Sequence, residues 1–212
     1  MKKYLAATPT INFNNSAVSQ KAKDVTEGAD SNLEKSVWLF YFVRDKIRYN
    51  PYLFSDCRED FKADQILLKG EGFCIHKAIL LIALARACGI PARLGFADIR
   101  NHILSGKLTS IHTSDIIPWH GFAELNINGN WVKATPAFDI EMCKNNKIIP
   151  VEFNGINDAI FHLKNREGKL HIEYIRYQGT YADMPFDEFR ACYISYFGTK
   201  YYDKFKKLKE EE

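Results

Sequence analysis

Gly72-Phe73-Cys74-Ile75-His76-Lys77-Ala78-Ile79-Leu80-Leu81-Ile82-Ala83-Leu84-Ala85-Arg86-Ala87-Cys88-Gly89-Ile90-Pro91 decides how this chain is read. The apolar run after Phe73 is nearly continuous, which predicts a helix enclosed by other elements. Gly89 and Pro91 mark its end, glycine because it accepts a left-handed turn and proline because it cannot continue the ladder. Cys74 therefore falls on the first turn. Unpaired N–H groups and the positive end of the helix dipole gather there. They favour the thiolate, the nucleophilic form of cysteine.

Upstream, Ser31-Asn32-Leu33-Glu34 is a capping box and starts a helix through Val37–Val43 and Ile47, expected to end before Pro51. Asp60 to Leu68 predicts a weaker helix that ends at the Lys69-Gly70-Glu71-Gly72 turn. Downstream, Ala92–Asp98 alternates as a strand does. Trp119–Ile127 and Asn130–Thr135 predict two strands joined at Asn128-Gly129, a two-residue hairpin signal. Lys147–Phe153 and Lys169–Tyr177 are expected as further strands, and Pro185–Phe197 as a last helix. Residues 1–15 are expected to be irregular because Pro9, Asn12, Asn14 and Asn15 favour turns. Lys204–Glu212 is expected as a solvated helix end or frayed tail. Helices first and strands afterwards predict an α+β fold with helices packed on an antiparallel sheet. Residues 1–30 are expected as an N-terminal extension, 31–140 as the core, and 141–212 as strands and a helix completing the same domain.

Composition narrows the function. The chain has 212 residues, of which 46% are hydrophobic, enough for a large core. A net charge of +3 without a basic block gives no footprint for nucleic acid. No stretch is long and apolar enough for a membrane span or a signal segment. Five cysteines without paired spacing fit free thiols in a reducing compartment, so a cytoplasmic location is expected. Cys74 and Cys88 would lie roughly 21 Å apart on one helix and cannot bridge.

A cysteine nucleophile needs a base and then an acid, and histidine does both near neutral pH. His76 is two residues along the same helix and cannot face Cys74. His120, at the start of a strand, is the candidate base. His102 and His112 lie in the irregular stretch 99–118 and could line a cleft, with Trp119 as a wall; Trp38, Trp119 and Trp131 are otherwise expected in the core. Cys74-x-His76 with the other histidines raises a metal site, but no Cys-x-x-Cys or His-x-x-x-His pair anchors one, so neither metal nor cofactor is expected.

Gly72, Cys74, Gly89-Ile90-Pro91-Ala92-Arg93, His120 and Trp131, in that order, resemble the transglutaminase-like superfamily. Ile47-Arg48-Tyr49 and Asp64-Gln65-Ile66-Leu67 resemble its lead-in. The resemblance covers about residues 35–140. It implies a papain-like fold and a Cys-His-Asp triad acting on an amide or peptide bond, with Cys74 as nucleophile and His120 as base. The family's Asp usually falls four positions after the Trp, where this chain has Thr135. Asp139 is the nearest carboxylate downstream and the expected orienting residue, with Thr135 or a backbone carbonyl as competitor. The Cys74 N–H is the expected oxyanion donor, with Gln65 or Tyr49 as candidates for a second. A peptide or protein amide is the expected partner. The absent Asp at position 135 keeps open a non-catalytic peptide- or protein-binding module on the same fold.

Overall fold

In the computed structural model, residues 1–103 and 114–210 are described. The stretch after Phe73 forms a helix over Cys74–Ala87, and every residue from Ile75 to Arg86 is buried. Its end is a Schellman turn: Ile90 N–H donates to Ala85 O at 2.9 Å, Gly89 N–H donates to Arg86 O at 2.9 Å, and Gly89 has φ +77°.

In chain order the elements are α1 (Ser16–Val25), α2 (Asn32–Lys46), β1 (Arg48–Tyr49), α3 (Ala63–Lys69), β2 (Glu71–Gly72), α4 (Cys74–Ala87), β3 (Ala92–Asn101), β4 (Ile116–Ile127), β5 (Asn130–Ala134), α5 (Ile140–Asn145), β6 (Ile172–Tyr181), α6 (Phe186–Phe197) and α7 (Tyr201–Glu210). The main sheet runs β5-β4-β3-β6, with every neighbouring pair antiparallel. β1 and β2 form a separate parallel pair just ahead of α4. α4 packs against α1, α2 and α3 as well as β3 and β4, which is why it needs no polar face. The fold is α+β, helices on an antiparallel sheet.

Local chemistry explains most boundaries. Ser31 Oγ accepts from Glu34 N–H at 3.1 Å, while Glu34 Oε2 accepts from Asp30 N–H at 2.8 Å, one residue earlier than a standard capping box. Asn128 and Gly129 both take positive φ, as a type I′ hairpin requires. Arg93 joins three strands: it donates to Glu124 Oε2 at 2.6 Å and lies 4.1 Å over the Trp131 ring.

Several expectations change. Lys147–Phe153 is not a strand; Pro150 lacks the N–H a ladder needs, and Val151 O accepts from Arg44 instead. The strand expected at Lys169–Tyr177 begins later, at Ile172, and runs to Tyr181. Inside residues 1–30, α1 is capped by Asn15 and buries Val18 and Ala22. Of the two alternatives for Lys204–Glu212, the residues to Glu210 follow the helix end: they belong to α7, with Lys204, Lys206 and Lys207 exposed and Phe205 buried. Trp38 is exposed, whereas Trp119 packs against Phe96 and Tyr181. No helix among the described residues is long and apolar enough to cross a membrane.

Candidate active site

The site is built where α4 begins. Phe73, its N-cap, contributes no capping side chain. The N–H groups of Gly121, Ile75 and Cys74 lie near enough to the Cys74 sulfur to favour its thiolate, without a hydrogen bond of good geometry. Burial acts against them and is the stronger effect, so the thiol is pushed up to about 11. The acidic thiol that the helix start suggested is therefore not found in this resting state.

Gly121 is the contact that places β4 on this helix turn. A Cβ there would stand 3.0 Å from Ile75 Cα and 2.8 Å from Ile75 Cγ1. His120 is its neighbour. Just before it the β3–β4 register slips: Ala97 faces His120 but Ile99 faces Ile117, so β4 carries one extra residue opposite Asp98. Trp119 sits in this bulge with φ +57°, an unusual conformation for a bulky residue. Asp98 holds it in place: its carboxylate accepts from Trp119 N–H at 3.3 Å, Arg176 at 3.0 Å and Gln178 at 2.8 Å.

His120 is 2% exposed, and burial lowers its pKa to about 3. Its ring packs on Phe161 at 4.9 Å, and Nε2 lies 3.4 Å from the Tyr174 hydroxyl. Cys74 and His120 line one cavity of about 120 Å³, together with Tyr49, Phe138, Phe161 and Phe205. Sulfur and imidazole share this wall without a hydrogen bond between them.

The carboxylate of Asp139 is engaged elsewhere. Oδ1 accepts from Met142 N–H at 2.8 Å, capping α5, and Oδ2 accepts from Tyr49 N–H at 2.7 Å, tying α5 to β1. No bond joins Asp139 to His120; the oxygens of Asp139 meet the Tyr49 and Met142 N–H groups instead. Thr135 Oγ1 is buried near Tyr174, close enough to favour its ionised form but without a bond of good geometry. Tyr174 was not foreseen; its sequence signal was only its place in a predicted strand. Of the second oxyanion candidates, Tyr49 lines the cavity and Gln65 does not. His102 is exposed and pairs with Glu173 at 3.3 Å. His112 lies outside the described residues.

A larger hollow of about 340 Å³ contains neither Cys74 nor His120. His76 lines it, buried, with both ring nitrogens unpaired and its pKa lowered by burial to about 3. Phe54 lines both hollows. Among the described residues no group of His, Cys, Asp and Glu is placed to hold a metal ion.

The domain is α+β, with a cysteine opening its central helix and a histidine on the adjoining sheet. The profile of the transglutaminase-like superfamily matches residues 19–136, and the chain belongs to that family. The match contains Cys74 and His120 and stops short of Asp139. No curated protein matches the chain. Two crystal structures are similar. One is a candidate cysteine protease from Cytophaga hutchinsonii, 16% identical, TM-score 0.49, covering 84% of this chain and 53% of that one. The other is a candidate protease from Parabacteroides distasonis, 16% identical, TM-score 0.41, covering 62% and 26%. The chain thus spans about half of the first and a quarter of the second.

Proposed function

We propose that this chain performs cysteine-dependent hydrolysis or acyl transfer at an amide or peptide bond, with Cys74 as nucleophile and His120 as base. The observation that carries this reading is that the sulfur at the start of α4 and the imidazole of β4 line one cavity. His120 takes the thiol proton as sulfur bonds to the carbonyl carbon. The oxygen becomes an oxyanion facing the first-turn N–H groups. The carbon–nitrogen bond then breaks, and His120 hands its proton to the departing amine. Water or a second amine attacks the thioester and frees Cys74.

In this reading Tyr174 holds the imidazole, and its hydroxyl replaces the expected carboxylate. If the phenol oxygen accepts Nε2–H, Nδ1 is left free to act as base. Asp139 acts indirectly, by fixing Tyr49 and α5 around the cavity. Residues 31–140 form the catalytic core, and the flanking segments complete the same domain.

A second reading has specific support. With the thiol up and the imidazole down, the resting pair is neutral, and no carboxylate contacts His120. Both facts suit a binding module. Mass spectrometry after exposure to p-nitrophenyl acetate separates the two. An acetyl adduct on Cys74, discharged by water or added amine and missing in Cys74→Ser, supports the enzyme. No adduct at Cys74 at any pH up to 10 supports the module.

A further inference from the structure

We infer that the cavity at Cys74 selects acyl groups bearing an uncharged apolar side chain, aromatic or branched aliphatic; this rests on the acyl chemistry proposed above. Its walls are the first argument. Phe138 stacks on Phe161 with centroids 4.4 Å apart, and Phe54 packs on Phe205 at 4.0 Å. Met142, Ile99 and Ile172 also line it. Among the described residues the wall carries no Asp, Glu, Lys or Arg, and Asn101 is its single carboxamide. The hollow beyond Phe54 is the opposite, bordered by Asp60, Lys69, Glu71 and Lys206.

Desolvation sets the preference. A charged substrate side chain would leave water and meet no opposite charge, and a glutamine amide would exchange water for the few polar groups of an apolar wall. A phenyl or isobutyl group loses nothing polar and gains ring contacts. Size sets the limit. An apolar cavity of about 150 Å³ admits benzene, so about 120 Å³ takes one side chain and not a run of them. The rest of a peptide would remain outside.

The test uses N-acetyl amino acid p-nitrophenyl esters of Phe, Leu, Gln, Glu and Lys, with p-nitrophenyl acetate as reference. The same residues, as N-acetyl N-methylamides, are titrated by NMR into Cys74→Ser protein. We expect Phe and Leu to exceed Gln, Glu and Lys by about tenfold or more in both kcat/KM and binding. Met142→Trp, which fills the chamber, should bring that ratio close to one. Cys74-dependent turnover in which Gln or Lys equals Phe overturns the preference while the acyl chemistry stands. Preferential binding of the Phe amide with no turnover of any ester keeps the chamber and removes the chemistry. Equal binding of all five amides removes the chamber.

Discussion

The proposed chemistry requires Cys74 and His120 to exchange a proton, and the fold sets them far apart on the pH scale. Burial holds the thiol near 11 and the imidazole near 3. Burial thus keeps both groups neutral and opposes an ion pair before substrate arrives. In the proposed reaction the proton would therefore move as the carbon–sulfur bond forms. Because the thiol pKa is raised, thiolate accumulates only as pH climbs towards 11. Iodoacetamide labelling of Cys74, followed by mass spectrometry, should accelerate about tenfold per unit between pH 7 and 10. A rate already level at pH 6 would reveal an ion pair and refute this account. Tyr174→Phe should lower acyl transfer about tenfold; because the hydroxyl also accepts from Phe161 N–H at 3.4 Å, a small drop in melting temperature should accompany it. Asp139→Asn should do the reverse. It places an amide where Tyr49 N–H needs an acceptor, at a cost of about 1–2 kcal/mol in urea unfolding, and leaves the thiol chemistry nearly intact.

Elements of strong periodicity were legible in the chain, and their attachments were not. The run after Cys74 announced α4 because burial on all sides leaves an unbroken apolar pattern. Asn128-Gly129 announced its hairpin because few residues tolerate that turn. α1 escaped notice since it presents only Val18 and Ala22 to the core. The bulge at Trp119 carries no code of its own, and it shifts the side-chain alternation just before His120. The partner of His120 was equally hidden, because β6 is brought in by pairing with β3, far away in sequence. Gly121 tests how closely the two halves of the site must meet. Gly121→Ala places a methyl against Ile75 Cα, which is backbone and cannot turn aside. Chemical unfolding should register a loss of about 1–3 kcal/mol, and labelling of Cys74 at pH 9 should change with it. An unchanged stability would show that α4 and β4 are less closely apposed than described.

The whole molecule carries a pH signature of its own. Lys77 is fully buried, and its ammonium donates to Arg44 O at 2.9 Å and Ile47 O at 2.6 Å. Burial still lowers its pKa from 10.5 to about 7. Between those values the unfolded chain holds the extra proton, so stability rises with pH across the window. Cys74 and Cys143 act oppositely: each keeps its proton to about 11, while the unfolded thiol releases it near 9. Urea midpoints should climb from pH 7, peak at about 8–9 and decline beyond. Lys77→Met should flatten the rising limb; an unaltered climb in that variant would assign it to another group. Arg86 ties distant parts of the chain together in another way. Its buried guanidinium donates to carbonyls of Ala6, Ala92 and Ala182 from the middle of the sequence. The strand that opens the sheet and the segments flanking it at either extremity thus hang from a single planar cation. Fraying at one extremity is expected to be felt at the other, so amide exchange near Ala6 and near Ala182 should quicken in concert once that cation is lost.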